Sequence, residues 1–238
     1  DALPRLREHA ASAGLHLDIR FCGSVDAIRA LNEGRCTLAG FHTQTHPHKA
    51  SHTAKAYRDL LKPGLHKIIG FATRTQGLIT APNNPKRLND LTDVVSTQAR
   101  FVQRSPGTGT RVLLDDLLSK HKLTSNDLNN WPDEEPSHTA LAEAIASGRC
   151  DVGLGIESTA RARGLGFVPL VQEQFHLVCL KSALDTPATQ ALRSVLQETS
   201  WKDAINALPG YQAQDGGQVQ SLSEQLPWWT FKRAKKTS

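Results

Sequence analysis

The amino-acid sequence predicts an α/β fold with mixed, mostly parallel sheets. Short segments with the apolar pattern of strands alternate along the chain with segments that have helical apolar spacing. Glycines and small hydroxyl residues join strand to helix at several places. "DVGLGI", residues 151–156, is apolar after its aspartate, which is typical of a strand buried on both faces. This alternation of strands and helices favours right-handed βαβ units.

In the first half of the chain, a short helix that ends at Gly14 precedes "LHLDIRF", residues 15–21, whose alternation predicts a strand. A helix follows directly after Gly23-Ser24 and is closed by Gly34. The next predicted strands are 36–42, 67–74 and 76–82, the last two being separated by Thr75, and a short helix covers 87–94.

The second half contains "FVQRSPGTGTRVLLDDLLSK", residues 101–120, in which a strand ends near residue 103 and a turn with two glycines leads into a helix over 108–121. A polar, turn-rich stretch at "NNWPDEEP" follows, and Ser137 is expected to cap the helix "HTALAEAIASG". The remaining predicted elements are the buried strand 151–156, a helix at 158–164, strands at 167–170 and 175–180, and a helix at 186–200 with Pro187 in its first turn.

The composition is that of a soluble globular protein. The 238 residues are 39% hydrophobic and 21% charged, and no stretch is long and apolar enough to span a membrane. The formal net charge is +5, but four of the positive charges lie in the basic tail, 231–238, and without these four the net charge is +1. The body has no basic stripe with interleaved aromatics, which argues against direct binding of nucleic acid. The four cysteines form no CxxC pair, so neither a zinc ribbon nor a disulfide framework is predicted.

Four strand-to-helix junctions carry small hydroxyl residues: Gly23-Ser24, 107–110, 137–139 and 157–159. In an open α/β sheet the carboxyl ends of the strands line one crevice, where ligands bind. Helix N-termini expose unpaired N–H groups with a partial positive charge, so they favour anions. Serine and threonine at such positions also commonly act only as helix caps. The number of junctions, together with Arg104 and Arg111, favours an anion-binding site.

The stretch "HTQTHPHKASH" contains two histidine pairs with the i,i+4 spacing of helical metal ligands, His42 with His46 and His48 with His52. However, Pro47 interrupts a helix across both pairs, and no carboxylate or cysteine lies nearby in sequence. The stretch therefore indicates an exposed polar loop more strongly than a metal site, with His42 alone placed at the rim of a cleft.

Catalysis has little support in the sequence. No GxSxG, HExxH or phosphate-loop motif is present, and Gly107-x-Gly109 lacks the third glycine of a dinucleotide-binding loop. Glu157 follows a strand and could serve as a general base, but a carboxylate at a helix N-terminus is the stronger interpretation. We therefore expect a binding protein and not an enzyme.

The chain contains a series of spaced motifs: "GSVDAIRALNEGRCTLAGFH", "RTQGLITAPNNP", "RSPGTGTRVLLDDLL" and "HTALAEAIASGRCDVGLGIESTARARGLGFVPL". Together they resemble the periplasmic-binding-protein-like domain of bacterial transcriptional regulators, LysR-type and molybdenum-cofactor-linked, which is related to molybdate- and tungstate-binding proteins. The resemblance runs from about residue 15 to residue 180. The family usually begins with one more strand, and Pro106 stands where relatives often have a different polar residue.

This resemblance implies a two-lobed type 2 periplasmic-binding-protein fold with a ligand cleft between the lobes. Lobe I would comprise 1–80 and 176–230, lobe II 81–175, and the basic tail 231–238. Position by position, the cleft-lining residues that the resemblance implies are Ser24, Thr43, Arg74, Gln76, Arg104, Thr108, Gly109, Thr110, Arg111, His138, Glu157, Ser158 and Thr159.

The function implied by the resemblance is that of a ligand-sensing effector domain in a cytoplasmic regulator. The domain would bind a small anion, such as molybdate, tungstate or a related metabolite, and no other cofactor. It would act as a homo-oligomer, away from membranes, and would contact DNA only through a DNA-binding domain upstream of Asp1. The first alternative is a periplasmic solute-binding protein of an oxyanion ABC transporter, and the second is a domain in molybdenum-cofactor biosynthesis.

Overall fold

The computed structural model describes residues 2–229, and the predicted basic tail, 231–238, lies outside these described residues. The helices are α1 (Ala2–Ser12), α2 (Ser24–Asn32), α3 (His52–Tyr57), α4 (Leu91–Ser96), α5 (Gly109–Lys120), α6 (His138–Ala146), α7 (Glu157–Arg161), α8 (Pro187–Gln197), α9 (Thr199–Asn206) and α10 (Leu222–Gln225). The strands are β1 (Ala39–Gln44), β2 (His66–Thr80), β3 (Arg100–Arg104), β4 (Asn129–Glu135), β5 (Val152–Ile156), β6 (Gly166–Leu180), β7 (Tyr211–Gln212) and β8 (Val219–Ser221). No helix within the described residues is long and apolar enough to cross a membrane.

All of these strands belong to one mixed sheet in the order β1-β6-β2-β5-β3-β4, with β7 and β8 paired to β2. The predicted α/β fold is confirmed, but the expectation of mostly parallel sheets is wrong. β3 pairs in parallel with β4 and β5, whereas β2 pairs antiparallel with β5, β6, β7 and β8, and β1 antiparallel with β6. The reason is that β2 and β6, 15 residues each, run antiparallel to one another through the centre of the sheet.

Both long strands were predicted as two shorter ones. In β2 the polar residues from Thr73 to Gln76 interrupt the apolar pattern, and in β6 the run from Gln172 to Gln174 does the same. The structure carries each strand through its polar run without a break, and the run in β2 is buried. The polar residues therefore mark a buried site in the middle of a strand and not a loop.

Two other expectations are wrong. Residues 15–23 form neither helix nor strand: Leu15 and Leu17 pack against a hydrophobic core, but no described strand pairs with this segment. Conversely, the polar stretch at 129–135 is strand β4, which pairs with β3 at the edge of the sheet. An edge strand can leave polar side chains in solvent, so its sequence need not be apolar.

The described residues form four hydrophobic cores, two toward each end of β2. Toward its N-terminal end, Trp201 of α9 packs in one core with residues of α1 and α8, and Phe41 of β1 packs in another with residues of α2 and α3. Toward its C-terminal end, Phe101 of β3 packs with residues of α4 and α5, and Ile145 of α6 packs in a fourth core with Ile79 of β2. The lobe boundaries at 80/81 and 175/176 stay a prediction.

Candidate ligand-binding site

A buried ion pair occupies the middle of the two long strands. Arg74 of β2 and Glu173 of β6 are register partners in the antiparallel ladder, and Arg74 Nε donates a short hydrogen bond to Glu173 Oε1. Their side chains are only 7% and 2% exposed. Burial opposes the charge of Arg74, but Glu173 and Tyr211 more than offset this, so the pKa of Arg74 lies above its ordinary value. The pair therefore holds its two charges inside the protein.

Irregularities in the ladder lie on both sides of this ion pair. The β2–β6 register shifts between Gly70 and Ala72 and again between Gln76 and Gly77. Bulges of this kind turn side chains away from the regular alternation. In a regular strand, alternate side chains face opposite sides of the sheet. Here four consecutive residues of β2 are buried: Thr73, Arg74, Thr75 and Gln76 are all 9% exposed or less.

A hydrogen-bond chain extends from the ion pair to the starts of two helices. Gln76 Nε2 donates to Glu173 Oε2 at 2.9 Å and to Thr110 Oγ1 at 3.3 Å. Thr110 lies in the first turn of α5, and its hydroxyl contacts Nε2 of His138, the first residue of α6, at 3.3 Å. The chain thus ties the centre of the sheet to the N-terminal ends of α5 and α6.

Arg104 ends β3 as a second buried cation. Its side chain donates from Nε to the Glu135 carbonyl at 3.1 Å and from one Nη to the Pro136 carbonyl at 2.9 Å. Within residues 2–229, no carboxylate lies within ion-pair distance of Arg104. Burial and the nearby Arg74 lower the pKa of Arg104 to about 10. The positive charge of Arg104 is therefore not neutralised by a neighbouring side chain.

Three histidines contribute to the site: His176 is buried, and His42 and His138 are half-buried. Burial, with Arg74 as the next cause, holds the pKa of His42 well below its ordinary value, and burial with Arg104 does the same for His138. Burial alone lowers the pKa of His176 to about 4. All three imidazoles are therefore neutral at neutral pH. His42 Nδ1 lies 3.6 Å from Glu173 Oε1, and His176 Nε2 is hydrogen-bonded to Thr43 Oγ1 at 3.0 Å.

The starts of α2 and α5 meet next to this cluster. The Val25 N–H donates to the Gly107 carbonyl at 3.4 Å, and a Cβ on Gly23 would lie only 2.6 Å from that same oxygen. A Cβ on Gly109 would lie 3.1 Å from Ser24 Oγ and 3.5 Å from the Tyr57 hydroxyl oxygen. Glycine is thus required where the two helix starts touch, and Ser24 and Gly109 lie in one contact region.

The other predicted site residues lie around this cluster or have structural partners. Thr108 caps α5, because its hydroxyl accepts from the Arg111 N–H and donates to the Ser105 carbonyl. Arg111 pairs with Glu134 at 3.3 Å, and Glu157 pairs with Arg161 at 3.1 Å. Ser158 and Thr159 are buried in the first turn of α7. The structure therefore brings together Ser24, Thr43, Arg74, Gln76, Arg104, Gly109, Thr110 and His138.

Glu173, His176 and Tyr57 were missed by the sequence analysis. Glu173 stands between the two short strands predicted in β6, where the polar run resembles a loop. Tyr57 lies in the short helix α3, within the stretch interpreted as irregular. The signal that could have identified Glu173 is its place between two strand-like apolar runs, since a charged residue at the centre of a long strand needs a buried partner.

The histidines at 42–52 do not converge. His42 is half-buried on β1, His48 Nδ1 accepts from the Ala50 N–H at 3.2 Å, and His52 begins α3, where it contacts Ser119 of α5 at 3.1 Å. Within the described part of the chain, no group of potential metal ligands lies close enough together to hold an ion.

Residues 6–197 match the model of a PBP superfamily domain. The chain belongs to this superfamily. A relative in Bacillus subtilis, the uncharacterized protein YvgK, is 26% identical over 215 residues, which make up 90% of this chain and 69% of that protein. An uncharacterized protein from the ferredoxin 2Fe-2S gene 5' region of Clostridium pasteurianum is 25% identical over 109 residues, 45% of this chain and 96% of that protein.

Solved structures share the PBP fold at low sequence identity. A putative phosphate ABC transporter substrate-binding protein from Clostridium perfringens with bound phosphate has a TM-score of 0.63 at 14% identity, over 86% of this chain and 93% of that one. PEB3 with bound L-phospholactate has a TM-score of 0.59 at 15% identity, over 89% and 94%. The effector binding domain of QuiR in complex with shikimate has a TM-score of 0.59 at 14% identity, over 81% and 87%. The predicted type 2 binding-protein fold is confirmed.

Proposed function

We propose that this chain is the ligand-sensing domain of a bacterial transcriptional regulator and that it binds a small anion. The anion would lie where the middle of β2 and β6 faces the starts of α2, α5 and α6. Arg104 carries the proposal, because it is a buried guanidinium that has no carboxylate partner among residues 2–229. A buried charge without a partner is unfavourable, so a bound anion that pairs with Arg104 would stabilise the domain.

The structural neighbours support the choice of ligand class. Phosphate, L-phospholactate and shikimate are anions, and they are bound by three proteins that share this fold. The N-termini of α5 and α6 add the partial positive charge that favours an anion. Molybdate and tungstate belong to the same class and are candidates to be tested.

The regulatory part of the proposal is supported by the effector-binding domains among the neighbours, including a BenM variant with a TM-score of 0.60. Ligand binding would favour one arrangement of the domain over another, and a DNA-binding domain, in a cytoplasmic homo-oligomer, would respond to that shift. The chain would bind its ligand without turnover.

Calorimetric titration with sulfate, phosphate, molybdate, tungstate and small carboxylates tests the binding. We expect Arg104→Gln to weaken the binding of every anion that the wild type binds by about 10- to 100-fold, since it removes a charged hydrogen-bond donor. Arg7→Gln, an exposed position on α1, makes the same change of charge and should leave affinity unchanged. Equal affinity in wild type and Arg104→Gln, with both proteins folded, would show that Arg104 does not bind the ligand.

A second candidate function is delivery of the anion to a membrane transporter, and the phosphate-bound transporter component among the neighbours favours it. The two candidates differ in what the full-length protein binds. A regulator should bind an operator DNA with an affinity that changes on addition of the anion, whereas a transport component should not bind DNA and should stimulate its transporter.

A further inference from the structure

The buried carboxylate of Glu173 is unexpected in a site for anions. It is 1% exposed, and its oxygens accept hydrogen bonds from Arg74 and Gln76. Because Glu173 neutralises Arg74, the charges of Arg74, Glu173 and Arg104 sum to one positive charge. The histidines add none, since burial keeps all three neutral at neutral pH. These three side chains, with one net positive charge, balance one negative charge on a ligand.

The orientation of the Gln76 side-chain amide is fixed by its hydrogen bonds. A carboxylate only accepts, so the amide nitrogen of Gln76 must face Glu173, and the same nitrogen also lies 3.3 Å from the Thr110 hydroxyl. The amide oxygen, Oε1, consequently points elsewhere; it is fully buried and has no hydrogen-bond partner within the described residues. A buried acceptor without a donor is unfavourable, and a ligand that donates to it removes this penalty.

From these two observations we propose that Glu173 and Gln76 make the site selective for a singly charged anion that also carries a hydrogen-bond donor, such as a hydroxy acid. This inference rests on the proposed function and restricts the class of anion that the site would bind. A fully deprotonated dianion such as sulfate or molybdate offers only acceptors, so it would leave Gln76 Oε1 unpaired. Its second charge would also face the Glu173 carboxylate without a second free cation. Like charges a few ångströms apart in a partly buried site repel each other more strongly than they do in bulk water, which disfavours such a ligand.

The Tyr57 hydroxyl and His42 Nδ1 add adaptable groups to the same region. Both atoms are buried; His42 Nδ1 has no hydrogen-bond partner among residues 2–229, and the Tyr57 hydroxyl lies beside the Ser24 hydroxyl. A neutral imidazole nitrogen and a phenol can each donate or accept, so they could pair with either a carboxylate oxygen or a hydroxyl group. Such groups suit a ligand that offers both kinds of atom.

The test compares three kinds of anion by calorimetry at about pH 8: dianions without donors (sulfate, molybdate, tungstate), a monoanion without a donor (acetate), and monoanions with hydroxyls (lactate, shikimate). We expect the wild type to bind a hydroxy acid more tightly than acetate or any of the dianions. Glu173→Gln should shift the ratio of the sulfate and shikimate dissociation constants toward sulfate by about 10- to 100-fold, since it leaves the charge of Arg74 uncompensated. Glu8→Gln, exposed on α1, makes the same change of charge at a distance and should leave the ratio unchanged.

A second variant keeps the test decisive if Glu173→Gln does not fold. Gln76→Leu removes the unpaired acceptor, so it should bring the ratio of the acetate and lactate dissociation constants closer to one. The inference is overturned if the wild type binds molybdate, tungstate or sulfate more tightly than every hydroxy acid; the proposed function would survive that result. It is also overturned if both variants keep the wild-type ratios. Binding of no anion at all by the wild type would overturn the proposed function and the inference together.

Discussion

At the scale of single residues, the buried histidine His176 makes the stability of this protein depend on pH. The folded-state pKa of His176 is about 4, against an ordinary value of 6.5, because burial disfavours the charged form. Between these two values the unfolded chain binds a proton that the folded chain does not, so stability is present above pH 6.5 and is lost as pH falls toward 4. We expect His176 alone to lower the free energy of unfolding by about 2 kcal/mol between pH 6.5 and 5.

Urea unfolding at a series of pH values measures this effect. His176→Gln keeps a group that can hydrogen-bond to Thr43, and its stability should fall less than that of the wild type over the same range. His16→Gln removes an exposed histidine, and its pH dependence should follow that of the wild type. If wild type and His176→Gln lose stability in parallel, His176 is not kept neutral by burial.

At the scale of elements, Asp116 joins two helices that are distant in sequence. It lies on α5 at 5% exposure, and its carboxylate accepts hydrogen bonds from the backbone N–H groups of His52 and Thr53 and from the Thr53 hydroxyl. Ser51 accepts from the next N–H of α3, that of Ala54. The first N–H groups of α3 are therefore satisfied partly by its own cap and partly by a side chain from α5.

Replacing this carboxylate should destabilise the protein. We expect Asp116→Ala to lower the free energy of unfolding by about 2–3 kcal/mol, because it leaves buried N–H groups without an acceptor. Its neighbour Asp115, for which the described structure shows no side-chain hydrogen bond, is the matched control, and Asp115→Ala should change stability much less. Chemical denaturation of both variants tests this, and equal losses would mean that Asp116 contributes no more than any acidic residue of α5.

The helices could be predicted from the sequence more accurately than the strands. Helices with clear capping signals, such as α5 and α6, were predicted within a residue or two of their observed bounds, because caps and apolar spacing are local properties. Strand pairing is not local. The segment 15–21 has the alternation of a strand but no strand edge beside it, and β4 has a polar sequence but lies beside β3. Only the tertiary structure decides such cases.

At the scale of the whole molecule, the site is built from polar residues that interrupt the apolar runs by which strands are predicted. Thr73, Arg74 and Gln76 break the apolar run of β2, and Glu173 breaks that of β6. The sequence analysis proposed Arg74 and Gln76 from a family resemblance but could not pair them with Glu173, since the pairing depends on the register of two strands about a hundred residues apart. Local patterns predict elements, whereas buried polar partners follow from how the elements assemble.

The assembly brings the N-terminus of α2 against the turn before α5, and glycine makes this approach possible. Gly23 has an ordinary φ of −65°, so alanine would not strain its backbone, yet an added Cβ would lie 2.6 Å from the Gly107 carbonyl oxygen. The two segments belong to different cores, since α2 packs with β1 and α3, and α5 with α4 and β3. Gly23→Ala should therefore displace the start of α2 from the turn before α5 at the site while leaving each core intact.

We expect Gly23→Ala to weaken anion binding by about tenfold or more, because the ligand-facing groups of α2 and α5 could no longer approach one ligand together. Calorimetric titration of both proteins with the anions that the wild type binds measures this change. Glu198→Ala is the control, since Glu198 also directly precedes a helix, has a φ of −63° and is exposed. Wild-type affinity in Gly23→Ala would show that the contact between Gly23 and Gly107 is incidental to binding.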